Sequence, residues 1–163
     1  MKRRSLLQFA GVSVLLAGCG FQLRQAPHFA FSTIYIGASS SLGNELKRTI
    51  ASSGSVAVVD AARVNTAQVV LDLLADQREK VVVGLSASGQ VREFQLRTRV
   101  RFKLRTPQGK ELIPETELLQ QRDISFNESA VLAKEAEENL LYRDMQTDIV
   151  QQLMRRLAAV KTL

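Results

Sequence analysis

A strict alternation of side-chain types runs from Phe94 to Arg105. One set of alternate positions is mostly apolar and consists of Phe94, Leu96, Thr98, Val100, Phe102 and Leu104. The other set is mostly basic and consists of Gln95, Arg97, Arg99, Arg101, Lys103 and Arg105. Because successive side chains of a β-strand point to opposite faces of the sheet, this segment is predicted to be a strand with one buried and one exposed face.

Weaker patterns predict further strands on both sides of this segment. β-Branched, aromatic and alternating apolar residues place the strands at 31–38, 56–60, 67–85, 90–105 and 111–125. Turn-forming residues at 86–89 and 107–109 separate the last three, which therefore predict an antiparallel meander. The final strand is expected to start irregularly, because Pro114 lacks the N–H that a strand ladder uses.

Two segments have the periodicity of amphipathic helices. In the first, Leu42, Leu46 and Ile50 recur at every fourth position, with serines before them as candidate caps and Gly54 as the stop. The second runs from Asn127 to about Val160 and is expected to be about 45–50 Å long. Its predicted apolar stripe is Leu132, Ala136, Leu140, Leu141, Met145, Ile149, Leu153, Leu157 and Val160. Strands and helices together predict a two-layer α+β domain.

The N-terminal segment has the organisation of an export signal. Basic residues at 2–4 precede a mostly apolar stretch over 9–17, which is too short for a membrane span of roughly 20 residues. The sequence Leu16-Ala17-Gly18-Cys19 resembles the lipobox that bacterial lipoprotein-processing enzymes recognise. This resemblance implies cleavage after Gly18, and a thioether-linked diacylglycerol and an amide-linked acyl chain on Cys19.

Cys19 is the only cysteine in the sequence, so an intramolecular disulfide is excluded. An incidental buried cysteine is the weaker interpretation of this position. Gly20 after the cysteine resembles the pattern of outer-membrane lipoproteins, and Arg3-Arg4 leaves twin-arginine export open beside the favoured general secretory route. The predicted organisation is a cleaved signal peptide over 1–18, a lipid-anchored tether over 19–30 and a single domain over 31–163.

Composition argues against catalysis and against nucleic-acid binding. The formal charge of +6 falls to +3 once Lys2, Arg3 and Arg4 leave with the signal, and an exported protein does not meet nucleic acid. The single histidine, His28, follows Pro27 in the tether, where a solvated side chain is favoured over a metal ligand. No Gly-rich phosphate loop, ligand cluster or nucleophile with a base can be assembled. We therefore expect no enzyme activity, no metal and no cofactor beyond the covalent lipid.

The basic side of the alternating strand has two open interpretations. Like charges about 6.5–7 Å apart repel unless other groups compensate them. In the first interpretation, Asp72 and Asp76 on the preceding strand and Glu115 and Glu117 on the following strand interleave with the cations on a solvated face. In the second, the arginines form an anion-binding row, for which lipid phosphate is the candidate ligand near a membrane.

Three motifs together resemble the LptE family of lipopolysaccharide-assembly lipoproteins. They are Cys19-Gly20-Phe21-Gln22-Leu23-Arg24, Gly89-Gln90-Val91-Arg92-Glu93-Phe94, and Leu132-Ala133-Lys134 with Glu137, Met145 and Gln151-Gln152-Leu153. The resemblance implies a small mixed, mostly antiparallel sheet covered by two helices. It also implies an outer-membrane location on the periplasmic side and in the lumen of the β-barrel LptD, which the lipoprotein plugs and stabilises while binding lipopolysaccharide.

The resemblance also implies particular contact residues. Lys134 matches the lysine of the family's Leu-Ala-Lys motif, and Arg122 matches an arginine in the preceding strand, so both are candidate contacts to lipopolysaccharide or the barrel. Ala87 and Ser88 stand where some relatives have a basic or bulky residue, so a charge at that turn is not expected here. An accessory lipoprotein of another envelope system is the alternative function, and an envelope hydrolase is the weakest one.

Overall fold

The computed structural model describes residues 27–163, so the signal, Cys19 and most of the tether lie outside the described residues. The regular elements are β1 (Thr33–Ile36), α1 (Ser41–Ser52), β2 (Ala57–Val59), β3 (Val69–Leu85), β4 (Val91–Arg105), β5 (Glu111–Ser125) and α2 (Val131–Ala159). Short 3₁₀ segments, Ala61–Thr66 and Glu128–Ala130, precede β3 and α2.

The strands form one mixed sheet in the order β2-β1-β3-β4-β5. The short strand β1 pairs in parallel with both β2 and β3, and α1 provides the crossover that parallel neighbours require. The longer strands β3, β4 and β5 pair antiparallel, which confirms the predicted meander and the two-layer α+β fold. Register shifts near Pro114 confirm the irregular start of β5.

Both helices pack on the same face of this sheet. On β4 the alternation predicted from sequence is confirmed, because Leu96, Thr98, Val100, Phe102 and Leu104 are at most 1% exposed. Their face meets apolar side chains of α1 and α2 in the main core, which includes Ile34, Leu46, Ile50, Ile149, Leu153 and Leu157. Burial of this apolar surface is the main stabilising contribution to the fold.

The caps predicted for α1 are confirmed. The Ser40 hydroxyl accepts a hydrogen bond from the Gly43 amide at 3.2 Å, which satisfies a free donor of the first turn. Beyond the other end, Gly54 has φ of +72°, a conformation that glycine adopts without the strain of a side chain.

A second, smaller apolar cluster lies under the middle of α2. It contains Leu96, Ile124, Tyr142 and Met145. Polar contacts separate this cluster from the main core: the Gln146 side chain accepts a hydrogen bond from Arg78 at 2.8 Å and donates one to Glu45 at 2.5 Å. Gln146 is only 7% exposed, so these bonds satisfy a buried amide.

The N-terminal half of α2 departs from the sequence prediction. The helix begins at Val131, because Asn127 instead caps the 3₁₀ segment by accepting a hydrogen bond from the Ser129 amide. Leu132 and Leu140, predicted to face the sheet, are 82% and 53% exposed. The buried positions of α2 begin at Tyr142. Residues four apart lie on the same side of a helix, so Glu138 and Lys134 continue the buried side toward the N-terminus. Leu132 and Leu140 therefore lie on a different side of the helix.

None of the helices in the described part of the chain is both long and apolar enough to cross a membrane.

Candidate lipid and partner contact surfaces

The basic row of β4, defined as Arg97, Arg99, Arg101, Lys103 and Arg105, lies on the sheet face that faces away from the helices. We call this face of β3, β4 and β5 the open face. Three of the five cations pair with carboxylates of the neighbouring strands. The contacts join Arg99 to Glu117 at 2.6 Å, Arg101 to Glu115 at 2.8 Å and Arg105 to Asp72 at 2.8 Å.

These pairs lie across adjacent strands, as cross-strand neighbours on one sheet face do. The hydrogen bond from Arg99 to the Glu117 carboxylate raises the pKa of that guanidinium above its ordinary value. All three pairs are partly exposed, and ion pairs between exposed side chains contribute little to stability because water screens them. Their main consequence is that the open face already neutralises much of its own charge.

The prediction that Asp76 joins this face was wrong. Asp72 lies opposite Lys103 on the open face, but the register shifts between Leu73 and Ala75, and Asp76 then lies opposite Val100, a residue of the buried face. The extra residue in β3 reverses the side-chain alternation, so Asp72 and Asp76 face opposite sides of the sheet.

The two remaining cations of the basic row have no carboxylate partner within residues 27–163. The Arg97 side chain donates to the Gln95 side-chain oxygen at 2.8 Å, and Lys103 makes neither a hydrogen bond nor an ion pair in that part of the chain. The structure therefore favours the self-compensated interpretation for most of the row and leaves Arg97 and Lys103 available to an anion.

Arg122 and Lys134 lie on the opposite, helix-covered side and are not brought together with the basic row. Arg122 on β5 lies opposite Leu96, and its guanidinium pairs with Asp148 of α2 at 2.8 Å. The Lys134 ammonium donates to the Ser125 hydroxyl and to the Glu137 carboxylate, both at 2.9 Å. The predicted site residues thus divide between two faces of the domain.

Lys134 borders a small pocket where the first turns of α2 meet the ends of β4 and β5. Its volume is about 70 Å³, and its lining residues are Lys80, Phe94, Ile124, Ser125, Phe126, Val131, Lys134, Glu135 and Glu138. The Lys80 ammonium lies 4.3 Å from the centre of the Phe94 ring and 2.6 Å from a Glu138 carboxylate oxygen. Cations and apolar side chains therefore share this pocket, which we call the α2 pocket.

Lys80, Phe94 and Phe126, which also line this pocket, were not among the predicted site residues. Phe94 was assigned only to the buried face of β4, and the mixed polar composition of β3 gave Lys80 no distinguishing pattern. The two phenylalanine rings stack edge to face with centroids 5.4 Å apart, which requires the loop after β5 to fold back beside β4. Only tertiary structure brings these residues together.

Exposed apolar side chains lie at the end of the domain that contains the α2 pocket. Val82, Val83 and Leu85 at the end of β3 are 46%, 47% and 62% exposed, and Val131 on α2 is 40% exposed. A further cavity is lined by residues 90–92, which follow the β3–β4 turn, and by residues 126–129, which precede α2. Isolated exposed apolar residues are common on any protein surface. At this end of the domain several of them lie near the Lys80 and Lys134 ammonium groups, and such a clustered apolar surface is typical of an interaction site.

Tyr142 closes the second apolar cluster just beyond this pocket. Its hydroxyl donates to the Glu79 carbonyl at 2.8 Å, and the Arg78 guanidinium lies 5.2 Å from its ring centre. Burial raises the pKa of the phenol, and the nearby Glu138 charge adds to this effect. Across residues 27–163, no group of three or more histidine, cysteine, aspartate or glutamate side chains is arranged to hold a metal ion.

These features define a two-layer α+β domain with an exposed, charged sheet face and an amphiphilic surface around the α2 pocket. The sequence profile of the family described as LptE, lipopolysaccharide-assembly, matches residues 31–157. The chain belongs to this family, which confirms the resemblance inferred from its three motifs.

Individual relatives agree with this assignment. The LPS-assembly lipoprotein LptE of Pectobacterium atrosepticum is 27% identical over 98% of this chain and 88% of its own length. The solution structure of lipoprotein B from Nitrosomonas europaea has 36% identity and a TM-score of 0.74, covering 86% of this chain and 91% of that one. Rare lipoprotein B from Shewanella oneidensis has 27% identity and a TM-score of 0.65, covering 78% and 95% of the two chains.

Proposed function

We propose that this lipopolysaccharide-assembly lipoprotein acts at the outer membrane, where it plugs and stabilises an LptD-like β-barrel and binds lipopolysaccharide at the α2 pocket. The observation that supports the function is the family match over residues 31–157. The observation that supports the site is the α2 pocket, which joins the Lys134 ammonium to aromatic and aliphatic side chains. No chemical reaction is needed for this role.

The chemistry of the ligand fits this end of the domain. Lipopolysaccharide is an amphiphile that carries phosphate groups on a lipid with several acyl chains. Phosphate favours charge-assisted hydrogen bonds from lysine, while acyl chains favour apolar surface such as Val82, Leu85 and Val131. Glu137 and Glu138 hold the ammonium groups of Lys134 and Lys80 in place before a phosphate competes for them.

The open face suits the barrel part of the proposal. The lumen of a transmembrane β-barrel is polar, and the open face presents charged and amide side chains rather than a continuous apolar surface. Arg97 and Lys103, which lack carboxylate partners within residues 27–163, are candidate contacts to acidic groups of the lumen or to phosphate.

The lipid anchor restricts where the domain works. If Cys19 carries the lipid, a tether of about ten residues holds the domain within roughly 35 Å of the membrane surface. Several acyl chains give effectively permanent anchoring at about 0.8 kcal/mol per buried methylene. A position this close to the membrane fits a plug in an outer-membrane barrel. Any lipoprotein with the same anchor and tether would lie equally close, so the anchor alone does not identify the partner.

Replacing Lys134 with glutamate tests the lipid site. Loss of the charge-assisted bond and the added repulsion should weaken binding of purified lipopolysaccharide to the full chain in detergent by about tenfold or more. Lys161→Glu is the matched control, because this exposed lysine lies beyond the opposite end of α2. Equal affinity of the Lys134 and Lys161 variants would reject the α2 pocket as the binding site.

The barrel assignment is tested separately by affinity isolation of the wild-type chain from detergent-solubilised outer membrane. Co-purification of an LptD-like barrel in a fixed ratio is the expected result. A stable complex with components of a different envelope system, without the barrel, would instead identify an accessory lipoprotein of that system.

A further inference from the structure

The last strand of the sheet leaves a long backbone edge without a partner in the described part of the chain. β5 is the terminal strand in the order β2-β1-β3-β4-β5, and α2 packs on its face rather than along its edge. Past the irregular segment around Pro114, its register with β4 is continuous from Thr116 to Ser125. Such a continuous unpaired edge is a template for a further strand.

The hydrogen-bond pattern identifies which backbone groups point outward. The Phe126 amide donates to the Arg92 carbonyl at 2.7 Å, so residues in phase with Phe126 face β4 and the intervening residues face away from it. The outward-facing residues are Glu117, Leu119, Gln121, Asp123 and Ser125. We call their backbone groups the free edge.

Edge strands are normally protected from pairing by features such as proline and β-bulges. In β5 these features lie mostly outside the free edge. Pro114 and the register shifts lie in the first residues of β5, before the free edge begins. Within the free edge, one protecting contact is present: the Arg122 guanidinium donates to the Gln121 carbonyl at 2.8 Å while it also pairs with Asp148. This contact covers a single carbonyl, so the remaining outward groups of the free edge stay accessible.

The charges of the open face indicate the chemistry of a strand that would fit. Acidic side chains on β3 (Asp72, Glu79) and on β5 flank the basic row of β4, so the charge alternates from strand to strand. The next strand in this pattern is basic. Asp123 supports this, because within residues 27–163 it accepts a hydrogen bond from the neutral Gln95 amide and pairs with no cation.

We infer that the free edge of β5 receives an extended segment of a partner polypeptide as a sixth strand, with basic side chains at alternate positions on the open face. Main-chain hydrogen bonds to the outward-facing groups give affinity, and the acidic side chains of β5 select the charge of the segment. The free edge shares only Ser125 with the lining of the α2 pocket, and this inference does not depend on lipopolysaccharide binding.

A pair of capped nonapeptides tests the inference on the full chain in detergent micelles. In one peptide valine alternates with lysine, and in the other valine alternates with glutamate. The lysine peptide is expected to shift the backbone amide signals of Leu119, Gln121 and Asp123 and to slow their hydrogen exchange, whereas the glutamate peptide leaves them unchanged. Unchanged exchange with the lysine peptide, or equal effects of both peptides, would overturn the inference.

Two substitutions locate the effect on the edge. Gln121→Lys places a like charge beside the incoming strand and should weaken the lysine peptide by about two- to fivefold, whereas Gln77→Lys adds the same charge to the open face on the interior strand β3 and should not. Equal weakening by both variants would indicate binding to the open face. Concentration-dependent protection of the edge without peptide would identify a second copy of this chain as the occupant. Either result would reject the proposed partner segment.

Discussion

Thr98 shows how a single side chain can depart from its surroundings. It lies on the buried face of β4, is 1% exposed, and its hydroxyl has no hydrogen-bond partner in the described part of the chain. A buried hydroxyl without a partner costs about 1–3 kcal/mol of desolvation. The alternation correctly placed Thr98 on the buried face, but its missing partner depends on side chains of other elements and has no signal in the sequence.

Replacing Thr98 with valine should stabilise the domain. Valine keeps the β-branched shape and removes the unsatisfied hydroxyl, so the free energy of unfolding in a denaturant titration should rise by about 1 kcal/mol. Thr116→Val is the matched control, because the Thr116 hydroxyl donates to the Pro114 carbonyl at 2.8 Å and its removal should lower stability. A destabilised Thr98 variant would show that this hydroxyl does have a partner.

Cys19 is the residue on which the anchoring prediction depends. Cys19→Ser removes the only thiol, so metabolic labelling with palmitate should be lost and the chain should leave the membrane fraction. A Ser5→Cys variant of the same serine-substituted chain should not restore labelling, because its cysteine lies outside the lipobox. Palmitate incorporation into the Cys19→Ser chain would contradict the assignment.

At the scale of elements, the sequence predicts best the strands and helices whose side-chain pattern has a single physical cause. β4 was predicted almost to the residue because each position alternates between core and solvent. β3 was predicted in extent, but the bulge at Leu74 reverses its faces, and a single extra residue leaves no compositional signal. The N-terminal half of α2 was predicted as helix with the wrong buried flank, because Leu132 and Leu140 mimic a core stripe but lie on an exposed flank of the helix.

The packing of α1 gives a test at this scale. A side chain at Gly43 would place its Cβ 2.7 Å from the Cβ of Ala38, a contact that requires the chain to shift. Overpacking outweighs the better helix propensity of alanine, so Gly43→Ala should lower the free energy of unfolding by about 1–2 kcal/mol. The control Arg48→Ala, on the exposed face of the same helix, should change it by less than about 0.5 kcal/mol. Equal stability of wild type and Gly43→Ala would show that the contact relaxes freely.

At the scale of the whole molecule, the domain separates two kinds of surface. The open face carries the largely self-compensated basic row, and the opposite side carries Arg122, Lys134 and the α2 pocket. Family resemblance alone selected Lys134, while the residues around it became visible only after folding. The basic row is the clearest pattern in the sequence, but most of its cations are paired within the domain. The reason is that β3 and β5 carry carboxylates at neighbouring positions on the same sheet face.

Photo-crosslinking in growing cells tests the central claim most directly. A benzophenone amino acid at Val131, which lines the α2 pocket, should form an adduct with lipopolysaccharide in the outer membrane. The same amino acid at Arg156, exposed near the opposite end of α2, should not. Adducts at Arg156 but not at Val131, or at neither position in a chain that co-purifies with the proposed barrel, would contradict lipopolysaccharide binding at the α2 pocket.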